Sequence, residues 1–216
     1  MSELRSFAKR IFDVLLASVT LVALMPLLLA IAVLVKLTSK GPALYRQERV
    51  GKNGTPFVIL KFRTMADGAE AQTGPTLSTT GDKRVTPVGG ILRRFRLDEL
   101  PQLVNILKGE MSVVGPRPER PCFVEQFSEI IPGYRDRHKV KPGLTGLAQV
   151  LGTYSTPAER KLAHDLAYIH RQSLWLDFSI IVRTVPVLFM PDAARGVPED
   201  RKIVSGLEQS SGLGLN

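Results

Sequence analysis

The sequence contains few cysteine, histidine and aromatic residues. Its single cysteine, Cys122, excludes an internal disulfide and a cysteine-based metal cluster. The three histidines, at positions 138, 164 and 170, are too few to favour a histidine-rich zinc site. Aromatic residues make up only 6% of the chain and do not alternate with a basic stripe, which argues against base stacking on single-stranded nucleic acid.

Acidic residues are outnumbered by basic ones, and the formal net charge is +9. This balance indicates anionic partners, such as nucleic acid, anionic lipid or phosphorylated small molecules, and composition alone does not choose among them. The length of 216 residues suits one domain with attachments, or at most two small domains. Hydrophobic residues account for 44% of the chain, enough for a core, but many of them lie within residues 1–40.

A charge-free apolar run extends from Val14 to Val35. As a straight helix it would be roughly 33 Å long, close to the hydrocarbon thickness of a bilayer. The run is too long for a cleaved signal peptide, and no small-residue cleavage site follows it. Two structures remain open: a helix that crosses the membrane, and a bent helical hairpin that enters and leaves on the same side.

Pro26 lies near the centre of this run, where a proline removes a backbone hydrogen bond and bends a helix. Positive charge on both sides of the run favours a cytoplasmic position for both of its ends. Together these features favour a re-entrant helical hairpin broken near Pro26. In the lead-in segment 6–13, Lys9 and Arg10 are available for lipid phosphates. The flanking basic residues are Arg5, Lys9 and Arg10 before the run and Lys36, Lys40, Arg46 and Arg49 after it.

The predicted fold class is α/β, mostly helical and membrane-associated. Residues 1–39 form the re-entrant helix, and residues 40–190 form a compact cytoplasmic domain with short strands and amphipathic interfacial helices. Residues 191–216 are polar and glycine-rich, and we expect a flexible tail. The apolar segment 174–190 is shorter than a spanning helix, so it either lies on the membrane surface or packs in the core.

Turn residues divide the first part of the cytoplasmic domain. Segments 43–50 and 56–65 are predicted to pair as a hairpin around the turn "GKNG", with Lys61 and Arg63 on one face. Segment 66–89 is rich in Gly, Thr, Ser and Pro and is predicted to be a mobile loop. It either connects two elements or covers a substrate, a role that long loops in compact domains often have.

The stretch "RFRLDELPQL" places two acids, Asp98 and Glu99, side by side after a basic segment. Apolar residues at helical spacing predict a short amphipathic helix over 98–108, and Pro101 fits only its first turn. Asp98 would then lie at or near the N-cap, where the helix dipole favours the ionised carboxylate and a bound phosphate alike. In the structural interpretation, Asp98 only caps the helix.

The chemical interpretation follows from the adjacency of the two acids. Helix geometry argues against a glycosidase pair, because the carboxyls of such a pair flank a sugar, usually from separate elements, whereas neighbours on a helix point about 100° apart. Adjacent acids suit a carboxylate nucleophile beside a second acid that helps to hold a divalent cation. Mg²⁺ prefers one or two carboxylates plus phosphate oxygens, and a carboxylate that attacks a phosphoryl group forms an acyl phosphate.

Several cations lie in segments that could converge on this pair and bind phosphate oxygens. Arg117 stands between Pro116 and Pro118, so its backbone is stiff. Taken singly, each arginine is as well explained as a solvated surface residue, or as a ligand of anionic lipid beside the hairpin. The cations are Lys61, Arg63, Arg93, Arg94, Arg96, Arg117 and Arg120.

The motifs "KFRTM" (61–65), "LDELPQLVNILKGEMSVVGPRPE" (97–119) and "KPGLTGLAQV" (141–150) resemble those of the bacterial sugar transferases, the monotopic polyprenyl-phosphate phosphoglycosyl transferases. The segments "KRIFD" and "SKGPALYRQERVGKNGTPF" fit the same pattern, so the resemblance covers residues 9 to about 190. Because the extra N-terminal membrane helices of the family's larger members are not seen before the run, we expect the family's minimal, catalytic-domain form.

The resemblance implies transfer of a phospho-sugar from a UDP-sugar to polyprenyl (undecaprenyl) phosphate at the cytoplasmic face of the bacterial inner membrane. UMP is released, and the product starts exopolysaccharide, capsule, O-antigen or glycoprotein glycan synthesis. It further implies that Asp98 is the nucleophile and that Glu99 assists with Mg²⁺ or with positioning. Arg93, Pro116 and Arg117 match positions expected to bind phosphate or nucleotide, and we add Lys61 and Arg63 on weaker grounds.

Two other functions remain open at the level of the residues. One is a membrane-anchored basic module that binds anionic lipid or nucleic acid without catalysis, although the resemblance implies no nucleic-acid partner. The other is a phosphodiester hydrolase that uses the same acids with water as acceptor. The sequence does not identify the sugar, the polyprenol length or the oligomeric state, for which a homodimer is one alternative.

Overall fold

The computed structural model describes residues 3–70, 74, 76, 81–153 and 156–188. Helices dominate it, as predicted, and the strands are short. The predicted tail 191–216 lies outside the described residues. The helices are α1 (Glu3–Ala23), α2 (Met25–Thr38), α3 (Pro87–Arg94), α4 (Gln102–Lys108), α5 (Pro121–Ile130), α6 (Leu147–Leu151), α7 (Ala158–Arg171) and α8 (Leu174–Leu188). The strands are β1 (Leu44–Val50), β2 (Pro56–Phe62), β3 (Ser112–Val114) and β4 (Gly143–Thr145).

The N-terminal apolar run is bent, which confirms the predicted break near Pro26. Helices α1 and α2 meet at Leu24 with a bend of 64°. Pro26 lies in the first turn of α2, where its missing N–H would have no helical partner. Among the described helices, none is by itself both long and apolar enough to cross a bilayer, whereas α1 and α2 taken together satisfy both criteria across their bend.

A buried polar network fastens α1 to the rest of the fold. The Lys9 ammonium donates to Asp177 of α8 at 2.7 Å, and the Tyr168 hydroxyl donates to the other oxygen of the same carboxylate at 2.7 Å. Asp13 accepts from the backbone N–H of Val113 in β3 at 3.0 Å. Lys9 is therefore buried in an ion pair, and the expectation that it faces lipid phosphates is wrong for this side chain.

Arg10 also points into the fold. Its guanidinium donates to the carbonyls of Ile106 and Leu107 at 2.6 and 2.8 Å. These carbonyls belong to the last turn of α4, where helical partners are missing and a cation is favoured. Arg10 therefore ties the start of α1 to the end of α4.

Strands β1 and β2 form the predicted antiparallel hairpin, with Leu44 opposite Phe62 and Val50 opposite Pro56. The turn contains Asn53 in the left-handed region (φ 57°), which asparagine tolerates better than most residues. Asn105 of α4 covers the outer edge of β2, since its side chain accepts from the Leu60 N–H at 3.0 Å and donates to the Val58 carbonyl at 2.7 Å. These bonds fix α4 to the hairpin.

The core lies where α1, α4, β3, α7 and α8 meet, around Ile106, Met111, Val114 and Ile180. Strands β3 and β4 pair in parallel beside it. One face of helix α8 packs in the core, where Asp177 and Ile180 are buried, as one alternative for segment 174–190 predicted. The other face is apolar and exposed, with Trp175 78% accessible, and its position on a membrane surface stays a prediction. Residues 189 and 190 of that segment are outside the described part.

Other boundaries differ from the predictions by a few residues. A β-bridge between Met65 and Val85 closes the base of segment 66–89, and the last residues of this segment begin α3 at Pro87. The remaining prediction for this segment falls mainly on residues 71–73, 75 and 77–80, which are not described.

Candidate active site

The acid pair lies in a 3-10 turn (Leu97–Glu99) ahead of α4 rather than at the N-cap of that helix. Arg96 precedes it in the left-handed region (φ 56°), and no side chain caps the turn. Helix α4 starts at Gln102 with Pro101 as its N-cap, so the prediction that Asp98 caps the helix is wrong. The reason is local. The N–H groups of Glu99 and Leu100 donate to the carbonyls three residues earlier, those of Arg96 and Leu97, before the α-helical hydrogen bonds begin.

Glu99 is buried and surrounded by cations. Arg117 donates to both of its carboxylate oxygens, at 3.1 and 2.5 Å, and Lys61 donates to one of them at 3.2 Å. The Nη1 atom of Arg96 lies 3.9 Å from the Oε1 atom of Glu99. Burial opposes ionisation of Glu99, but Arg117 and Lys61 outweigh it and hold the pKa of Glu99 well below its ordinary value. Glu99 is therefore a fixed negative charge.

Asp98 is only 7% exposed, yet within the described chain its carboxylate has neither a hydrogen bond nor an ion pair. Burial and the adjacent charge of Glu99 raise the pKa of Asp98, while Lys61, Arg93 and Arg96 oppose that shift. The prediction that the helix dipole favours the ionised form of Asp98 is therefore wrong, because the raised pKa favours the protonated form. A carboxylate that no neighbour engages keeps its lone pairs available for reaction.

Lys61 extends from β2 to Glu99, as its predicted proximity to the pair requires. Burial lowers the pKa of Lys61, and Glu99 opposes this shift. The two groups thus support each other's charged forms inside the protein.

Arg93, in the last turn of α3, acts on Asp98 through its charge. Its Nε donates to the Thr64 hydroxyl at 2.8 Å, and its charge favours ionisation of Asp98. Thr86 caps α3 by accepting from the Gly89 N–H at 3.0 Å. Gly89 must lack a side chain, because a Cβ there would overlap the Thr64 carbonyl oxygen. Close packing of α3 on the end of the hairpin therefore places Arg93.

Pro116 and Arg117 belong to the predicted loop after β3, and the fold holds both residues by their backbones. The Pro116 carbonyl accepts from the Gly143 N–H at 2.9 Å, and the Arg117 carbonyl accepts from Arg137 at 3.0 Å. Arg137 is itself buried in an ion pair with Asp165 of α7 at 2.7 Å. This chain of contacts aims the Arg117 side chain at Glu99.

Arg63 does not reach the pair, although the sequence grouped it with Lys61. It is buried, and its guanidinium donates to the Ser39 carbonyl at 2.8 Å and to the Lys40 carbonyl. These groups follow the last turn of α2, so Arg63 anchors the end of the helical hairpin. Arg120 likewise pairs elsewhere, with both oxygens of Glu70 at 2.8 and 3.0 Å.

Sequence reasoning missed the residues that hold the site together. Thr64, Asn105, Arg137 and Asp165 carry no local signal beyond polarity, and Arg137 and Asp165 come from different helical segments. Gln102 was also missed: it is buried four residues after Asp98, and its amide nitrogen has no partner among the described residues. In the predicted helix over 98–108, a residue four positions after Asp98 would share its face, which is the signal that could have identified Gln102.

No group of three or more metal-ligating side chains occurs in the described ranges. The pair itself offers two adjacent carboxylates, of which that of Asp98 is not engaged by a protein group. This donor set fits Mg²⁺, which takes one or two protein carboxylates and completes its shell with water and phosphate oxygens. Zinc and calcium, which need more protein ligands, fit these residues less well.

The sequence profile of the bacterial sugar transferases matches residues 4–191. One relative, the UDP-N-acetylgalactosamine-undecaprenyl-phosphate N-acetylgalactosaminephosphotransferase of Aeromonas hydrophila, is 46% identical over 197 residues, which are 90% of this chain and 46% of the relative. The UDP-glucose:undecaprenyl-phosphate glucose-1-phosphate transferase of Caulobacter vibrioides is 47% identical over 197 residues, 86% of this chain and 71% of the relative. The exopolysaccharide production protein PSS of Rhizobium leguminosarum bv. phaseoli is 40% identical over 189 residues, which are 82% of this chain and 92% of the relative.

The chain spans less than half of the Aeromonas relative and most of the Rhizobium relative. The profile match runs from the second residue of α1 through α8 and includes every residue of the acid pair's surroundings. The chain therefore belongs to the bacterial sugar transferase family.

Proposed function

We propose that this protein is a polyprenyl-phosphate phosphoglycosyl transferase that moves a phospho-sugar from a UDP-sugar to undecaprenyl phosphate and releases UMP. Relatives named as undecaprenyl-phosphate sugar-phosphate transferases support the substrate classes. Relatives named as exopolysaccharide production proteins support a role at the start of glycan synthesis. Their names differ in the sugar, so the proposal leaves the sugar open.

The reaction that suits the pair has two displacements at one phosphorus. An Asp98 oxygen attacks the sugar-bearing phosphorus of the UDP-sugar, the bond to the bridging oxygen breaks, and UMP leaves. A phosphate oxygen of undecaprenyl phosphate then attacks the resulting aspartyl phosphate. The P–O bond to Asp98 breaks, the carboxylate is regenerated, and the product is undecaprenyl diphosphate sugar.

The unequal environment of the two acids carries this proposal. Both carboxylate oxygens of Glu99 are held by Arg117, whereas Asp98 has no partner in the described structure and a pKa that burial raises. A group held by cations cannot easily leave them to attack phosphorus, while an unengaged carboxylate can. We therefore assign nucleophilic attack to Asp98 and electrostatic positioning to Glu99.

The surrounding cations would bind the diphosphate. Arg93 and Lys61 already favour the charged form of Asp98, and Arg117 extends from the stiff Pro116 loop. Positive charge placed beside the phosphoryl oxygens stabilises the charge that develops in the transition state. We assign no substrate contact to Arg63, since its guanidinium fastens α2.

Asp98 and Glu99 are the residues that would hold Mg²⁺, Asp98 as a direct ligand and Glu99, whose oxygens are bonded to Arg117 and Lys61, through its negative charge. When bound, this ion would neutralise charge on the diphosphate oxygens. Full release of UMP in excess EDTA would contradict this part of the proposal.

We further propose that the bent pair α1–α2 inserts into the cytoplasmic leaflet of the bacterial inner membrane and keeps the acid pair on the cytoplasmic side. A lipid phosphate stays at the membrane surface, so the nucleophile must be held at that height. The exposed apolar face of α8, including Trp175 and Phe178, would lie at the same interface.

A screen of UDP-sugars with undecaprenyl phosphate tests the function. We expect UMP release with at least one donor, formation of a lipid-linked sugar diphosphate, and loss of both in Asp98→Asn. Free sugar phosphate as the product would indicate the hydrolase instead. Unchanged lipid binding together with no turnover of any donor would indicate the non-catalytic basic module.

A further inference from the structure

A second polar feature lies away from the acid pair, in a groove of about 950 Å³. The groove runs between the turn of the β1–β2 hairpin and the C-terminal end of α4. Neither Asp98 nor Glu99 lines it. Asp98 lies in the 3-10 turn before α4, whereas Lys108 lies at the C-terminal end of that helix. The groove is therefore not part of the proposed active site.

Four cationic side chains line this groove: Arg46, Lys52, Lys108 and Lys141. Within the part of the chain that the structure describes, none of them has a hydrogen bond or an ion pair. The contrast with the acid pair is direct, because Lys61 and Arg117 there are both bonded to Glu99. Cations that share one concave surface create a positive potential there, which attracts anions.

The acids that line the groove do not neutralise these cations. Glu110 accepts from the Asn105 amide at 2.7 Å, so its carboxylate supports the Asn105 side chain in its bonds to β2. Glu48 is exposed and makes no ion pair within the described residues. The cations outnumber the acids on this surface, and the acids do not contact them.

Lys141 sits beside a second cation. Gly109 has φ +86°, and a Cβ placed on it would lie 3.5 Å from both the Arg10 Nη2 and the Lys141 Nζ. Arg10 is held there by the carbonyls of Ile106 and Leu107. Partial burial lowers the pKa of Lys141, and the charges of Arg10, Lys52 and Lys9 add to that shift while Asp13 opposes it. A bound anion would relieve this repulsion.

The floor of the groove is apolar and comes from the hairpin. Phe57, Val58 and Leu60 of β2 line it, and Val58 is 47% exposed. Lysines around an apolar floor suit a ligand that combines phosphate charge with a less polar part. A bare metal cation is excluded by the same charges.

We propose that this groove is a second anion site, which binds a phosphate-bearing ligand through Lys52, Lys108 and Lys141. The ligand chemistry has two sources, a soluble diphosphate or the headgroup of an anionic lipid. The proposal goes beyond the transfer reaction, because neither acid lines the groove and none of its cations is bonded to Asp98 or Glu99.

Lysine acylation read by mass spectrometry tests the site on the full chain in uncharged detergent. Sodium pyrophosphate is added at constant ionic strength, and the acylation rates of Lys52, Lys108 and Lys141 are followed. Lys139 is the internal control, since it is exposed and ion-paired with Asp136 at 2.9 Å. We expect saturable protection of the groove lysines and no protection of Lys139.

The variant Lys141→Gln, compared with Lys139→Gln, separates a built site from general charge. Lys141→Gln removes one charge-assisted contact to the anion. The pyrophosphate concentration that halves the acylation rate of Lys52 and Lys108 should therefore rise roughly fivefold or more. Lys139→Gln should leave it unchanged. Equal effects of the two variants would overturn the proposal.

The lipid source is tested in vesicles of phosphatidylcholine with and without phosphatidylglycerol. Protection that needs phosphatidylglycerol and is absent with pyrophosphate identifies the headgroup, and protection by pyrophosphate in detergent identifies a soluble ligand. An unprotected groove in both arms overturns the site.

Discussion

The guanidinium of Arg117 donates to both carboxylate oxygens of Glu99, at 3.1 and 2.5 Å. This two-point contact joins the loop after β3 to the turn before α4. It also fixes the orientation of Glu99 and leaves the neighbouring Asp98 as the carboxylate that no described side chain engages. The two acids differ in their partners rather than in their depth, since both are almost fully buried.

Glu99→Gln is expected to destabilise the fold. The amide removes the buried charge that Lys61 and Arg117 share, and leaves both cations without compensation. Loss of one partner from such a pair should lower the free energy of unfolding by about 2–3 kcal/mol. Chemical denaturation in detergent measures it. Glu48→Gln, at an exposed and unpaired acid, is the matched control and should change stability by less than about 0.5 kcal/mol.

Asp98→Asn is expected to act in the opposite direction on stability. Burial raises the pKa of Asp98 above its ordinary value of 3.8, so the folded state binds the proton more tightly than the unfolded state. Stability therefore falls as the pH rises through the interval between the two pKa values, and at neutral pH the ionised Asp98 is a cost. The neutral amide should stabilise the protein by about 1 kcal/mol while turnover is lost.

Thermal unfolding of the Asp98→Asn protein at pH 7 and at pH 3.5 checks this sign. The gain should be present at pH 7 and should shrink at the lower pH, where the wild-type carboxyl is mostly protonated in both states. A variant that is less stable than wild type at pH 7 would show that Asp98 has a stabilising role instead.

The pH dependence of the first half-reaction follows from the same pKa. Attack requires the Asp98 carboxylate, whose pKa is raised by burial and by Glu99. The burst of UMP in the absence of lipid acceptor should therefore fall on its acid side at a pH above the ordinary aspartate range. Rapid-quench measurements at constant ionic strength report the midpoint. A midpoint at or below the ordinary value would contradict the raised pKa.

Asp165→Asn tests whether the support of Arg117 matters to activity. Asp165 pairs with Arg137 at 2.7 Å, and Arg137 donates to the Arg117 carbonyl at 3.0 Å. Both side chains are almost fully buried, so the loss of the carboxylate charge should cost about 3 kcal/mol or more of stability. At a temperature where the variant remains folded, kcat should fall while the KM for the UDP-sugar changes less. Asp136→Asn, in an exposed pair, is the control.

Local features of the fold were predictable because short-range chemistry decides them. Gly51 and Asn53 determine the hairpin turn, and Pro26 determines where the helical run breaks. The start of α4 was mispredicted although its apolar spacing is clear. A left-handed residue at Arg96 and a 3-10 turn precede the helix, and neither has a reliable sequence signature.

The composition of the site was predictable, but its internal contacts were not. Adjacency identified Asp98 and Glu99, and proline on both sides identified Arg117. The sequence grouped Lys61 with Arg63, since alternate residues of a strand share a face, yet Arg63 lies past the end of β2 and turns to the end of α2. Partners such as Asp165 come from distant segments, and only the folded chain brings them near Arg117.

Both ends of the apolar run are fastened to the same folded domain. At its start, Lys9 donates to the buried Asp177 at 2.7 Å. After its end, Arg63 donates to the Ser39 carbonyl at 2.8 Å. A helix that crossed a bilayer would place these two points on opposite sides, about 30 Å apart across the hydrocarbon. One domain cannot hold both, so the contacts favour a hairpin that returns to the side it entered.

Cysteine labelling tests this topology, because Cys122 is the only native cysteine and can be replaced by serine. Single cysteines are placed at Arg5 and Lys40, at the two ends of the run, and at Val22 near the bend. In right-side-out spheroplasts, a membrane-impermeant maleimide should label none of them. After permeabilisation it should label positions 5 and 40, while position 22 stays protected by lipid. Labelling of either end in intact spheroplasts would show that the run crosses the membrane.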